Sequence, residues 1–238
     1  MTFAAYVALG DSMSIDRYPA LDAAGRGRIA PPEALGAAAL LAHNHDATWP
    51  EFRGRDLAHL CPGIAVHPLA SDGATTETVL VEQLGRLRAL ERRAETLATL
   101  TVGGNDLLGL VGASERAGAE SVRAVLANLG LILRGISARL PLATLLVANV
   151  YDPTDGTGDL EGTRLRTREM GWLAEHNDGV ARLCRDTGAR LIDVHGHFLG
   201  HGRSASAAER WYWTGSLIEP GLFGASEIRR LWLAALDK

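Results

Sequence analysis

The sequence predicts an α/β fold in which helices cover both faces of a parallel sheet. Five apolar runs of strand length recur along its 238 residues, the first from Phe3 to Leu9. The runs lie at 3–9, 63–69, 96–102, 143–150 and 189–194. Longer segments with helical spacing separate them, and strands that are joined by helices form a parallel sheet.

The helical segments have recognisable beginnings and ends. We predict helices over 33–43, 50–60, 76–93, 115–139, 164–187 and 222–236. Thr75 or Thr76 can cap the third of these helices, because a threonine hydroxyl accepts a hydrogen bond from a free backbone N–H group. Gly188 can end the fifth, since glycine tolerates the left-handed backbone that commonly follows a helix.

Composition is that of an ordinary globular protein. Hydrophobic residues make up 47% and charged residues 22% of the sequence, and its length suffices for one sizeable core. We therefore expect a single domain over residues 1–238. The formal net charge of -4 gives no broad positive field, so we expect neither nucleic acid nor a membrane as a partner.

The cysteines and the first strand indicate the compartment. Cys61 and Cys184 are far apart in sequence and form no Cys-x-x-Cys motif, so we interpret both as core residues in a reducing environment. The first predicted strand starts within a few residues of Met1, which leaves no secretory signal peptide. A cytoplasmic protein is the expectation.

Three predicted strands end in residues suited to acyl transfer. Ser12 follows the first run within Gly-Asp-Ser, Gly73 follows the second, and Asn105 follows the third within Gly-Gly-Asn-Asp. Neighbouring strands lie roughly 4.8 Å apart, so the three groups converge if their strands are adjacent. The hydroxyl would attack a carbonyl, and backbone and amide N–H groups would stabilise the oxyanion that forms. Taken singly, each residue could instead serve a turn or a helix cap.

These three blocks resemble those of the SGNH hydrolases, also called the GDSL esterase/lipase family. The resemblance covers most of the chain and implies a three-layer α/β/α, flavodoxin-like fold with a five-stranded parallel sheet of order 2-1-3-4-5. It also implies that Ser12 is the nucleophile and that Ser12, Gly73 and Asn105 form the oxyanion hole. No cofactor is expected.

The last block departs from the family pattern, which ends in Asp-x-x-His just before the final helix. Ser216 stands at the aspartate position and Glu219 at the histidine position. A carboxylate with an ordinary pKa of about 4.3 is a poor base for a serine hydroxyl. Glu219 could still act as the base if burial raised its pKa.

Histidines in the loop after the last strand offer an alternative base. We place His201 first and His197 second, both slightly ahead of Glu219, and His195 too far from the serine strand. Glu219 could then orient such a histidine. The spacing of Asp193 and these histidines also leaves open a metal site, although it fits no established motif, and we predict no bound metal.

Two segments, at about 14–32 and 195–220, interrupt the alternation of strands and helices. Both follow carboxyl ends of strands, where doubly wound folds build their substrate sites, so we expect them to wall a pocket. Asp152 and Asp155 follow the fourth strand at the same edge. Together with Asp11 they are candidate substrate contacts, and their alternative role is in turns.

The function predicted from these residues is serine-dependent hydrolysis of carboxylic esters. The substrate would be a small-molecule ester with a short or medium acyl group. A sugar is one candidate for the alcohol that carries this acyl group. Two alternatives stay open. One is a binding protein for small molecules or carbohydrates that has lost the catalytic histidine, and the other is an acyltransferase, which would use the same residues.

Overall fold

Nine strands and ten α-helices lie in the described part of the chain, which covers residues 2–28, 34–160 and 162–237 of a computed structural model. The strands are β1 (Ala5–Gly10), β2 (Ala65–Pro68), β3 (Thr96–Thr101), β4 (Ala143–Ala148), β5 (Asp159–Leu160), β6 (Thr163–Arg164), β7 (Arg190–Ile192), β8 (Tyr212–Trp213) and β9 (Ser216–Pro220). The helices are α1 (Arg17–Gly25), α2 (Ala37–Ala42), α3 (Leu57–Leu60), α4 (Thr76–Thr78), α5 (Leu84–Arg86), α6 (Gly104–Leu108), α7 (Glu115–Arg139), α8 (Thr167–Thr187), α9 (Val194–Phe198) and α10 (Leu222–Leu236).

The central sheet is parallel and has the order β2-β1-β3-β4-β7. Because β7 is the fifth strand of this sheet along the chain, the predicted order 2-1-3-4-5 is confirmed. Strand β1, which carries the Gly-Asp-Ser turn, lies between β2 and β3. The strand ends that precede Gly73 and Asn105 therefore flank the end that precedes Ser12.

Alternate residues of β1 enter two different hydrophobic cores. Tyr6 and Ala8 join the core on one face of the sheet, and Val7 and Leu9 join the core on the other. The first core includes residues of α2 and α10, and the second includes residues of α7 and α8. Helices on both faces explain why this strand is a continuous apolar run.

Two predicted helices match the structure in both bounds, namely 115–139 and 222–236. The helix predicted over 164–187 begins at Thr167 and ends where predicted, because Gly188 adopts the left-handed conformation with a φ of 75°. The side chain of Thr75 caps α4 as predicted by accepting a hydrogen bond from the N–H group of Thr78. The helix predicted over 33–43 is observed as α2, and residue 33 lies outside the described residues.

Two other predicted helices are wrong as continuous elements. The segment 50–60 divides into a 3-10 turn and α3, because Gly54 between them has a φ of 73° that a helix cannot accommodate. The segment 76–93 is helical only to Ala89 and changes type along its length. A π-helical turn, Val79–Gln83, separates α4 from α5, and such turns are frequent beside functional sites.

Helix α7 is long and apolar enough to cross a membrane by length and composition alone. One face of this helix packs against the sheet. Leu129, Ile132, Leu133 and Ile136 are all buried in the second core. The apolar composition of α7 therefore follows from its position in the domain core.

The two interrupting segments contain short elements of their own. Segment 14–32 holds α1, and its last residues, 29–32, lie outside the described residues. Segment 195–220 follows the start of α9 and contains the antiparallel pair β8 and β9. Strand β9 brings Glu219 to the carboxyl edge of the sheet, where it lines the same cavity as Ser12.

Candidate active site

Gly10, at the end of β1, occupies a position that no larger residue fits. Its φ is 115°, and a Cβ atom there would overlap the carbonyl oxygen of Thr101. The amide of Gln83 holds both of its backbone polar groups: Gly10 N–H donates to Oε1 at 2.8 Å, and Nε2 donates to the Gly10 carbonyl at 2.8 Å. Nothing in the sequence singles out Gln83, because its contact with Gly10 depends on the π-helical turn that contains it.

Ser12 lies in the wall of a cavity at the carboxyl edge of the sheet. The residue is only 7% exposed. The cavity has an empty volume of about 800 Å³ including its open mouth. The backbone N–H group of Ser12 donates to no oxygen among the described residues, so it remains available to a bound oxyanion.

Asp11 is a buried carboxyl beside the nucleophile candidate. Burial raises its pKa to about 7, against hydrogen bonds from Met13 and Thr101, and the charge of Glu219 adds to the rise. Its Oδ1 atom accepts the N–H group of Met13 at 3.1 Å. Asp11 lines the cavity, so its predicted contact with substrate stays a prediction.

The loops after β2 and β3 are tied to each other. Asn105 Nδ2 donates to the carbonyl of Ala74 at 3.0 Å. The carboxylate of Asp106 accepts the N–H group of Thr76 at 3.0 Å and the hydroxyl of the same threonine at 2.7 Å. These bonds fix the Asn105 amide relative to the loop that carries Gly73.

The three predicted oxyanion donors lie at neighbouring strand ends. Asn105 lines the cavity together with Ser12, and one of its two amide hydrogens is left over after the bond to Ala74. Gly73 has a φ of 70° and lies exposed on its loop, outside the cavity wall. Its N–H group also donates to no oxygen among the described residues.

His176 supports the turn before Asn105 from the interior. A Cβ atom on Gly103, whose φ is 118°, would lie 2.5 Å from His176 Nε2. The imidazole is fully buried, its Nε2 atom has no hydrogen-bond partner, and burial lowers its pKa. It is therefore a neutral packing group.

Glu219 occupies the cavity wall beside Ser12. It is 8% exposed, and its Oε2 atom has no hydrogen-bond partner. Burial raises the pKa of its carboxyl, while the hydrogen bond with the Ser12 hydroxyl opposes that rise. The preceding carbonyl, that of Ile218, accepts the Tyr151 hydroxyl at 2.6 Å, which fixes this part of β9.

The loop histidines have partners away from the cavity. His197 Nε2 lies 2.9 Å from Glu227 Oε2 on α10. His201 stacks on Trp211 with ring centroids 3.5 Å apart, and its Nδ1 lies 2.8 Å from the Glu209 carbonyl oxygen. Neither histidine lines the cavity that holds Ser12 and Glu219. The geometry therefore favours Glu219 over both histidines among the three candidate bases.

The remaining polar residues of this region serve the backbone. His195 Nδ1 lies 3.1 Å from the carbonyl oxygen of Val150, and Asp193 caps α9 through the N–H group of Gly196. Ser216 pairs with Trp213 in the β8–β9 ladder. Within the described residues, no group of three histidine, cysteine or acidic side chains could hold a metal ion.

Asp152 and Asp155 both organise the loop after β4. Asp152 lines the cavity, but its carboxylate accepts the N–H groups of Thr154 and Gly156 at 2.8 and 2.7 Å. Asp155 lies outside the cavity wall and accepts the hydroxyl of Ser204 at 2.6 Å. Both contacts fit the alternative role in turns, and substrate binding by either residue stays a prediction.

Comparison with known proteins gives a family match over most of the chain. Residues 8–211 match the model of the GDSL-like Lipase/Acylhydrolase family. No curated protein sequence matches the chain.

Solved structures share the fold at low sequence identity. An extracellular lipase from Streptomyces rimosus superposes with a TM-score of 0.65 at 21% identity, covering 99% of this chain and 100% of the lipase. Phospholipase A1 from Streptomyces albidoflavus superposes with a TM-score of 0.60 at 24% identity, covering all of both chains. Axe2, an acetylxylan esterase from Geobacillus stearothermophilus, superposes with a TM-score of 0.65 at 14% identity, covering 100% of this chain and 95% of the esterase. At these identities the likeness shows the fold.

Proposed function

The chain belongs to the GDSL-like lipase/acylhydrolase family, and from that premise we propose that it is a serine-dependent carboxylic-ester hydrolase with Glu219 as its base. One observation carries the choice of base: Glu219 lines the same cavity as Ser12, and the Ser12 hydroxyl opposes the rise in pKa that burial causes at its carboxyl. The histidines His197 and His201 are held by partners outside that cavity.

Acylation begins when Ser12 Oγ attacks the acyl carbon and the Glu219 carboxylate takes the hydroxyl proton. The carbonyl oxygen becomes an oxyanion, which accepts N–H groups from Ser12, Gly73 and Asn105. When the bond to the alcohol breaks, Glu219 gives its proton to the departing alkoxide. Ser12 then carries the acyl group as an ester.

Deacylation repeats these steps with water as the nucleophile. Glu219 takes a proton from water as its oxygen attacks the acyl carbon, and the second oxyanion uses the same donors. The bond to Ser12 Oγ then breaks, the serine recovers the proton, and a carboxylic acid leaves. The raised pKa of Glu219 strengthens it as a base, provided that the pH is high enough to ionise it.

The substrate that we propose is a neutral ester with a short or medium acyl group. Solved structures with this fold include an acetylxylan esterase and a phospholipase A1, so esters of sugars and of lipids are both handled on it. Acyl transfer to an alcohol would use the same residues. The two outcomes differ only in which hydroxyl attacks the acyl-enzyme.

A fluorophosphonate probe tests the nucleophile directly. The wild-type protein should be labelled on Ser12, and Ser12→Ala should abolish labelling. Folded wild-type protein that resists labelling at neutral and alkaline pH would overturn the proposal and favour a binding protein that has kept the pocket.

Matched substitutions then test the base. Glu219→Gln keeps the shape of the side chain but removes its basicity, so it should lower kcat/KM on p-nitrophenyl acetate by about 10²–10⁴-fold. His197→Ala and His201→Ala serve as controls and should retain activity. A large loss in either histidine variant with little loss in Glu219→Gln would refute Glu219 as the base.

A further inference from the structure

Helices α6 and α8 and strand β5 contribute apolar side chains to the cavity wall, and we call this part of the wall the recess. It includes Leu107 and Leu108 of α6, Leu160 of β5, and Met170 and Leu173 of α8. Apolar side chains of this kind predominate in the walls of small-molecule sites. The composition of the recess therefore suits an apolar part of a small ligand.

The carboxylates near the recess already accept hydrogen bonds from backbone N–H groups of the protein. Glu169 accepts the N–H groups of Gly112 at 2.9 Å and of Arg166 at 2.5 Å, and Asp152 is similarly bonded within its own loop. No lysine or arginine belongs to the described cavity wall. An acyl group with a carboxylate or phosphate would find no counter-ion there, so the recess favours an uncharged chain.

The positions of Asn105 and Glu219 show which half of an ester would enter the recess. Asn105 belongs to the same helix as the leucines of the wall, so an acyl group whose oxygen reaches Asn105 has this apolar surface beside it. The departing alcohol must lie near Glu219, which protonates it. On that side the charges of Asp72 and Arg17 act on Glu219, so the surroundings are polar.

Trp172 of α8 forms a rigid part of the recess. The residue is 5% exposed and lines the cavity. Its ring lies against Gly118 of α7, where a Cβ atom would overlap the indole. Because α7 is itself packed on the sheet, Trp172 cannot move back to make room for a longer ligand.

We propose that this recess binds the uncharged, medium-length acyl chain of the ester, and that Trp172 limits the length of that chain. The inference rests on the proposed function, since it assigns the acyl half of that substrate. Gly118 is a positioning residue in this account, because it allows the indole to sit outside the acyl path.

A series of p-nitrophenyl esters from acetate to palmitate tests the recess. We expect kcat/KM to rise by about fourfold for each methylene that becomes buried, and to fall once the chain meets Trp172. Trp172→Ala should move the optimum to longer chains. Gly118→Ala pushes the indole into the recess, and should lower the ratio of octanoate to acetate kcat/KM by at least about tenfold.

Gly171→Ala is the matched control, because it makes the same change on α8, next to Trp172. Apart from its two chain neighbours and the nearby backbone of α8, no heavy atom of the described residues lies within 4 Å of a Cβ atom at Gly171, so this variant should keep the wild-type chain-length profile. A profile that neither Trp172→Ala nor Gly118→Ala alters would overturn the inference and leave the hydrolase proposal standing.

Binding to Ser12→Ala separates the two proposals. Titration calorimetry with methyl octanoate should show binding to this inactive variant, and adding Gly118→Ala should weaken it at least about tenfold. Binding of this kind in a protein whose wild type hydrolyses no ester would refute the hydrolase proposal alone. Failure of methyl octanoate to bind would overturn the recess assignment.

Discussion

Replacing Asp11 by asparagine should stabilise the folded protein at neutral and alkaline pH. Burial raises the pKa of Asp11 from 3.8 to about 7. Between these two values the unfolded chain is ionised at this residue and the folded chain is not, so the wild-type protein loses about 1.4 kcal/mol of stability per pH unit as the pH rises. From pH 5 to pH 8 the wild-type protein loses about 3 kcal/mol of stability. The loss stops near pH 7, because above that pH Asp11 is ionised in the folded chain as well. Asparagine has no such proton and avoids the loss.

Urea unfolding at several pH values between 5 and 8 measures this effect. The free energy of unfolding of Asp11→Asn, minus that of the wild type, should grow by about 3 kcal/mol over the range. Asp178→Asn removes the same charge from an exposed position on α8, and should differ from the wild type by no more than about 0.5 kcal/mol at any pH. A difference for Asp11→Asn that stays constant or shrinks as the pH rises would refute the reasoning.

Four further substitutions test the remaining parts of the site. Asn105→Ala removes an oxyanion donor, so kcat in an ester assay should fall by about 10²–10³-fold, and a loss below tenfold would contradict its role. Gly10→Ala forces a Cβ atom onto the Thr101 carbonyl, so thermal and urea unfolding should show a destabilisation above about 3 kcal/mol. Glu219→His should have low activity in the same ester assay, and adding Ser216→Asp should not restore it, because position 216 lies outside the cavity wall. A gain of tenfold or more in the double variant would contradict that placement.

The centre of the sheet is predictable from the sequence because β1 and β3 are buried along their whole length. That burial makes β1 a nearly continuous apolar run and limits β3 to leucine, alanine and threonine, which distinguishes both from amphipathic helices such as α7. The helix interruptions are less predictable. Gly54 breaks one helix through a left-handed backbone that glycine permits but does not require, and the π-helical turn at Val79–Gln83 leaves the residue pattern unchanged.

The candidate site is only partly predictable, for a related reason. Ser12 and Asn105 follow strands directly, so the sheet order alone brings them to one edge. The choice of base depends on contacts between distant segments. His197 pairs with Glu227 on α10, and His201 stacks on Trp211, and neither contact leaves a local signal in the sequence. The strand order places the loop that carries both histidines near the site, but it does not determine where their side chains point.

The two departures from the family's last block make physical sense together. A histidine base needs an acceptor at its second nitrogen to fix its tautomer and orientation. Ser216 pairs with Trp213 in the irregular β8–β9 ladder and lies outside the cavity wall, whereas Glu219 lines the cavity. A carboxylate at position 216 is therefore not placed to orient a histidine at position 219. Glutamate has two equivalent oxygens and no tautomer to select, so it needs no such partner, and burial supplies the rise in pKa that a carboxylate base requires.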